Sequence, residues 1–426
     1  MKKYTSLVSG EREELLSDLL AKYKEYCDKG LKLDLSRGKP NSDQLDISTG
    51  LMSVDMSREF CFSNSGFDCR NYGLLDGLPE MKEFFADLFG LCKDDIIIGG
   101  NSSLQLMYGT IARAMTFGVY GSEKPWAREE GLKWICVTPG YDRHFKITEI
   151  FGFEMISVPM LESGPDMDLV ETLVADPKVK GIWCVPKYSN PTGNTYSYET
   201  VERLASMKCA APDFRIMWDN AYGIHDFSND ADDLADIFDL AEKHGNKDRV
   251  FYFSSTSKVT FPGGGVAMMA MSENNRKQVM PILGAETIGF DKINQLRHLK
   301  YFGSVENAKN HMLSLGRVIK NKFDITLEKL SSLVGLDIAS WTVPNGGYFI
   351  SLDVMPGCAK RVYELMKGAG VTLTPVGATF PYGVDPEDKN LRIAPTYPSD
   401  DELSLATEIL VLSVKLAALE KLAVND

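Results

Sequence analysis

Five short stretches of this sequence place polar and small residues just behind an apolar run. Gly99-Gly100-Asn101-Ser102-Ser103 follows residues 96–98, and Thr138-Pro139-Gly140-Tyr141-Asp142-Arg143-His144 follows 134–137. Asn190-Pro191-Thr192-Gly193 comes shortly after 182–185, and Asp219-Asn220-Ala221-Tyr222 after 216–218. Ser254-Ser255-Thr256-Ser257-Lys258 follows 250–253. If the apolar runs are parallel strands, these stretches can converge, because ligands of open parallel sheets collect at the carboxyl ends of the strands. The set then offers an amine, a carboxylate, an amide, phenols and several hydroxyls. A lysine amine is a versatile member of such a set, since desolvation shifts its pKa readily.

Each stretch has a plainer reading by itself. Asn-Pro-Thr-Gly is a good turn sequence, Asp219 ahead of a helical segment suits an N-cap, and Gly263-Gly264-Gly265 suits a flexible turn. Lys258 is harder to dismiss, because a surface lysine is less expected behind a buried strand. Ser255-Thr256-Ser257-Lys258 also matches S-x-x-K, the nucleophile motif of penicillin-binding proteins and β-lactamases. That chemistry needs a K-T-G, which is absent, and the resemblance to its second motif, Tyr188-Ser189-Asn190, precedes the first. The serine-hydrolase reading is set aside.

The elements that must position these residues alternate along the chain. Short apolar runs at 96–98, 134–137, 155–158, 182–185, 216–218 and 250–253 are bounded by turn signals, as in buried parallel strands. Helical patterns between them imply a layered α/β domain with right-handed crossovers. Ahead of them, residues 9–29 read as an amphipathic helix with Ser9 as N-cap and Glu11, Glu13 and Glu14 near its positive end. Arg12 stands where a capping box takes Glu or Gln. Behind them, 291–333 reads as charged helices, 342–352 as a strand with a turn, 358–369 as a helix and the chain from Ser399 as a last helix. That pattern suits a smaller α+β domain completed by the N-terminal helix.

Composition narrows the function classes. The 426 residues are 44% hydrophobic and 25% charged, enough for roughly two to three globular domains. No apolar run approaches the ~18 residues of a transmembrane helix, and the two N-terminal lysines have no apolar segment behind them, so neither a span nor a secretory signal is expected. The eight cysteines form no C-x-x-C pair and no zinc spacing, so no metal is expected; thiols inside apolar runs, such as Cys136 and Cys184, suit a reducing cytoplasm. The net charge of −13 argues against a nucleic-acid surface.

Asn-Pro-Thr-Gly, Asp-x-x-Tyr, Ser-x-x-Lys and a late arginine, in that order, resemble the fold-type I pyridoxal-phosphate aminotransferases of class I over nearly the whole chain. Leu35-Ser36-Arg37-Gly38-Lys39-Pro40 and the stretch from Ser257 to Ala267 resemble the aspartate aminotransferase subgroup related to the MocR effector domain. Fewer than 40 residues precede the aminotransferase-like part, so the winged helix-turn-helix of MocR regulators is not expected. The resemblance implies an α/β fold with a large cofactor-binding domain, residues 46–304, around a mostly parallel seven-stranded sheet, and a small α+β domain made of 1–45 with 305–426. It implies pyridoxal 5′-phosphate as cofactor, amino-acid and 2-oxo-acid substrates, and a homodimer with shared active sites.

On that resemblance Lys258 is the catalytic residue: it holds the cofactor as a Schiff base, the internal aldimine, and then moves a proton between substrate and cofactor. Asp219 keeps the pyridine nitrogen protonated, which makes the ring an electron sink. Asn190 and Tyr222 hydrogen-bond the phenolic oxygen, Tyr141 stacks on the ring, and His144 supports Asp219. Asn101, Ser102 and Ser103, opening a helix, bind the phosphate together with Ser255. Tyr72 reaches the phosphate of the neighbouring subunit. Arg392 clamps the substrate α-carboxylate, which a planar guanidinium fits in bidentate fashion; Gly38 and Asn190 lie close to the substrate.

After Lys258 the sequence departs from the family. Most class I members carry a phosphate-binding arginine there, where this chain has Phe261-Pro262-Gly263-Gly264-Gly265-Val266. Backbone N–H groups of the glycine turn offer a partial replacement as an anion nest. A dicarboxylic substrate also needs a second cation, because a buried charge left unpaired costs about 3–5 kcal/mol. Arg37, Lys39, Lys292, Arg297 and His298 are the candidates. The subgroup resemblance implies L-aspartate:2-oxoglutarate transamination in ping-pong order. The rivals are a transaminase for alanine, an aromatic amino acid or 2-aminoadipate, a lyase or decarboxylase on the same fold, and a non-catalytic cofactor-bound sensor.

Overall fold

The computed structural model describes residues 2–424, and the apolar runs of the sequence become one large sheet. Its strands are β1 (Ile96–Ile98), β2 (Lys133–Thr138), β3 (Glu154–Leu161), β4 (Gly164–Pro165), β5 (Val179–Cys184), β6 (Arg215–Asp219), β7 (Val250–Ser255) and β8 (Ala267–Met271). They lie in the order β1-β8-β7-β6-β5-β2-β3-β4. Strands β7, β6, β5, β2 and β3 pair in parallel, while β8 runs antiparallel to both β1 and β7. The eighth strand, β4, is a two-residue hairpin partner of β3, so the sheet is seven strands plus a short edge. Strand β8 carries no mark in the sequence pattern, because Ala267-Met268-Met269-Ala270-Met271 has helical rather than β preference. Complete burial of all five residues overrides that preference.

Both faces of the sheet are covered, and the period of two sorts the side chains between them. Ile96, Ile98, Ile135, Ile182, Ile216, Trp218 and Met268 join the core on one face. Ile97, Trp134, Cys136, Trp183, Met217, Phe251 and Met269 join the core on the other. Strands buried on both sides read as continuous apolar runs, which is what the sequence showed. Helices α2 (Ser103–Phe117) and α3 (Asp142–Ile150) start directly beyond β1 and β2.

A further core gathers Tyr4, Tyr26, Leu33 and Leu35 with residues between Ile319 and Leu419. Its frame is α1 (Ser9–Cys27), the long α4 (Val305–Leu330) and α5 (Asp400–Val424), with antiparallel strands β9 (Ala339–Trp341), β10 (Ile350–Val354) and β11 (Asn390–Ile393). The start of α1 differs from the sequence reading: Val8, not Ser9, is the N-cap residue, and Glu11 Oε2 accepts its N–H at 3.2 Å. The acidic partner is therefore present one position before Arg12. Helix α4 serves two cores, with Ala308, Met312 and Leu315 on the sheet side and Ile319, Phe323 and Leu330 on the other. Among the described residues no helix is long and apolar enough to cross a membrane.

Candidate active site

Strand register brings the site together. Cys184 pairs with Trp218 and Asp219 with Phe253, so β5, β6 and β7 end side by side. Beyond these ends lies a cavity of about 230 Å³, lined by Asn101, Ser102, Ser103, Tyr141, Asn190, Asp219, Tyr222, Ser255, Ser257 and Lys258. Lys258 Nζ donates to Tyr222 Oη at 3.0 Å and sits 4.3 Å from the centroid of that ring and 5.8 Å from that of Tyr348. Burial lowers its pKa; Tyr141 and Asp219 pull it back up, and Arg392 adds to the lowering. Burial raises both phenols, Tyr141 to about 12 and Tyr222 further, so both keep their protons at neutral pH.

Asp219 uses only one of its oxygens. Oδ2 lies 3.0 Å from His144 Nε2, whereas Oδ1 is buried with no hydrogen-bond partner. His144, in the first turn of α3, stacks on Trp183 with ring centroids 4.4 Å apart and meets Tyr141 edge-on at 4.9 Å. A buried acceptor without a donor is costly, so Oδ1 calls for an N–H from whatever fills the cavity.

The opposite end of the cavity suits an anion. Helix α2 starts there with Ser102 as N-cap, no side chain closing the cap and no acidic residue in its first turn. Its first N–H groups and the positive end of its dipole face an incoming anion. Ser257 Oγ donates to the Asn101 carbonyl at 2.7 Å and Ser255 Oγ to Ser257 Oγ at 3.1 Å, which joins the two serine stretches. In the glycine turn no residue of Gly263–Gly265 has a positive φ. Close approach is what demands glycine there: a Cβ on Gly265 would lie 2.9 Å from Ser257 N. Asn294 Nδ2 holds the turn by donating to the carbonyls of Gly264 and Gly265 at 2.9 Å each.

Arg392, on β11, reaches the site from the small core. Its Nη1 is 2.9 Å from Asp142 Oδ1 and 3.4 Å from Asn190 Oδ1, and Nε is 3.4 Å from Thr374 Oγ1. The guanidinium lies 5.1 Å from the Phe349 ring centroid. Gly38 packs on that same ring so closely that a Cβ would run into it. Tyr72 stays outside this cavity, with 76% of its surface exposed.

None of the candidate distal cations lines the cavity. Arg37 is exposed, and Lys39 Nζ stands 3.7 Å over the Tyr397 ring. Lys292 is buried and donates to the Phe290 carbonyl at 3.2 Å, and Arg297 donates to Asn294 Oδ1 at 2.5 Å. His298 is buried between Thr260 Oγ1 and the Asn294 carbonyl, and burial lowers its pKa to about 4. Sequence reasoning passed over Ser257 and Asp142, although both lie in stretches it singled out. Tyr348, Phe349 and Thr374 gave no signal, because only tertiary packing brings them to the site. A larger cleft of about 580 Å³, between 192–197 and 342–345, carries Glu162, Asp232 and Asp233 and no basic lining residue, so its charges disfavour a carboxylate or phosphate.

The sequence model of the aspartate amino-transferase family matches residues 7–426. An aspartate aminotransferase of Corynebacterium glutamicum is 48% identical over 407 residues, which span 95% of this chain and 94% of that protein. The crystal structure of an aspartate transaminase from Corynebacterium glutamicum superposes with a TM-score of 0.96 at 46% identity, covering 99% of each chain. The HTH-type transcriptional regulator NorG of Staphylococcus aureus is a remoter relative, 24% identical over 66% of this chain and 60% of its own. With the lysine, aspartate and arginine arranged as described, this chain belongs to the aspartate aminotransferase family.

Proposed function

We propose that this enzyme transfers the amino group of L-aspartate to 2-oxoglutarate in ping-pong order, with Lys258 as the residue that bears the cofactor. The cofactor is pyridoxal 5′-phosphate. The partnerless, buried Asp219 Oδ1 carries the reading, since a protonated pyridine nitrogen is the donor it lacks. The serines at the start of α2, with Ser255 and Ser257, suit the phosphate.

When bound, the cofactor supplies an aldehyde carbon that takes up the amino group and a ring that accepts the electron pair of the Cα–H bond. Lys258 would carry the proton between the substrate Cα and the cofactor carbon, a task that fits an amine whose pKa burial has lowered. Asp219, steadied by His144, would keep the cofactor's ring nitrogen protonated. Tyr222, Asn190 and Tyr141 all line the cavity; the first two would hydrogen-bond the cofactor's phenolic oxygen and Tyr141 would cover its ring. Arg392 grips the α-carboxylate and thereby fixes the direction of the Cα–H bond. Gly38 packs on the Phe349 ring, which lies 5.1 Å from the Arg392 guanidinium. The choice of aspartate rests on relatives of that name at 46–48% identity over nearly the whole chain.

The active unit we propose is a cytoplasmic homodimer, each subunit divided into 46–304 and 1–45 with 305–426. Exposed apolar side chains at Met52, Phe60, Phe62, Ile288 and Ile293 support the dimer, and the exposed Tyr72 is the residue that the family resemblance assigns to the neighbouring subunit's phosphate. The eight free cysteines suit a reducing compartment.

The visible absorption spectrum tests both halves. L-Aspartate should bleach the band of the lysine-bound cofactor and 2-oxoglutarate should restore it, and Lys258→Ala should lose turnover by at least ~10²–10⁴-fold while staying folded. A band indifferent to aspartate but bleached by another amino acid would replace the substrate. Retained activity in Lys258→Ala would end the assignment.

A further inference from the structure

The Arg392 guanidinium already holds a carboxylate. Its side chain is only 9% exposed, and Nη1 donates to Asp142 Oδ1 at 2.9 Å. The same nitrogen stands 3.4 Å from Asn190 Oδ1, and Asn190 lines the cavity around Lys258. Nη1 is therefore the cavity-side corner of the fork, and a carboxylate entering beside Asn190 meets a corner already taken. Nε is turned to Thr374 and the flat face to Phe349.

The two partners differ in how easily they let go. Arg392 is enclosed, and a buried cation without a counter-charge is strongly unfavourable. Asp142 is 34% exposed and stands in the first turn of α3, where the helix dipole favours a negative charge even when it faces water. If the pair parts, Asp142 keeps water and the helix dipole, whereas Arg392 stays enclosed without its carboxylate.

We propose that Asp142 is an internal stand-in for the substrate α-carboxylate: it pairs with Arg392 in the resting enzyme, yields to the incoming amino or keto acid, and returns as product departs. The proposal rests on the reading of Arg392 as the α-carboxylate clamp. Each ligand then displaces the same group, so Asp142 lowers the apparent affinity for amino acid and keto acid by one common factor. The same competition keeps product from lingering.

Asp142→Asn in the holoenzyme removes the competing charge and keeps the side-chain shape. Succinate, a dicarboxylate without an amino group, binds without reacting, and its dissociation constant by calorimetry should fall about fivefold or more. KM for L-aspartate and for 2-oxoglutarate should fall in parallel, with kcat moving less. Asp142→Ser should reproduce the gain, and Asp142→Glu, which restores the anion, should return the constants toward wild type. Unchanged or weaker succinate binding in both neutral variants overturns the proposal. Arg392→Lys separates the two readings. If it leaves succinate binding and KM unaltered, the clamp assignment fails and the stand-in with it. If it weakens succinate binding while the neutral Asp142 variants fail to tighten it, the clamp stands and only the stand-in is overturned.

Discussion

Asp219 divides its two oxygens between different tasks, one held by His144 and one buried without a partner. In Asp219→Asn an amide nitrogen replaces one oxygen, and the charge proposed to hold a proton on the cofactor ring is gone. Turnover should fall on the order of 10²–10³-fold, measured as a single-turnover rate, while the phosphate end still retains the cofactor. Near wild-type rates would show that the carboxylate does not hold that proton. At this scale the strand ends pointed to the stretches that hold Lys258, Asp219 and the serines at 102 and 103, and it took the ordered motifs to lift Lys258 and Asp219 above plainer readings such as an N-cap. Asn190 and Tyr222 lie a few residues further on and needed the ordered motif. Asp142 was in view between Tyr141 and His144, yet nothing in one dimension pairs it with an arginine 250 positions away.

Among the elements, the turn after Lys258 shows how a visible motif can hide its reason. Three successive glycines suggested an anion nest, but contact with the Ser257 backbone is what excludes a side chain at Gly265. Gly265→Ala should overpack the turn and cost about 1–3 kcal/mol. Because Ser257 bonds the Asn101 carbonyl at the head of α2, the damage should reach the phosphate end. A lower denaturation midpoint together with faster cofactor loss on gel filtration is expected; a lower midpoint with normal retention would confine the effect to packing. Strand β8 and the cap of α1 were illegible for separate reasons. Methionine and alanine prefer helix until burial decides otherwise, and the α1 start differs by one residue, enough to exchange Arg12 for Glu11 in the capping position.

For the whole molecule, the proposed dimer makes Tyr72 a test case. Tyr72→Ala leaves its own cavity complete, since Tyr72 does not line it. Mixed with Lys258→Ala and allowed to exchange subunits at limiting cofactor, it should form hybrids in which one cavity has both an intact Lys258 and an intact Tyr72. Activity above the sum of the two parents is expected, and no gain after exchange would place Tyr72 outside the partner's site. The alternation of strands and helices was readable from periodicity alone. The meeting of the chain's two ends was only suggested, because α1 finds its partners in residues hundreds of positions later.

That meeting has a consequence for how the protein is born. Tyr26 Oη bonds Glu408 at 2.7 Å across 382 positions of sequence. A ribosome adding ~5–20 residues per second leaves α1 waiting roughly 20–80 s for α5 to emerge. During that interval Leu15, Leu16 and Leu19, which finally pack on the small core, have no native surface to cover them. The large sheet can close while synthesis continues, but the first helix made is among the last to be housed. A nascent chain stalled before α5 therefore presents an amphipathic N-terminus to chaperones and proteases, and a C-terminal truncation harms the opposite end of the chain first.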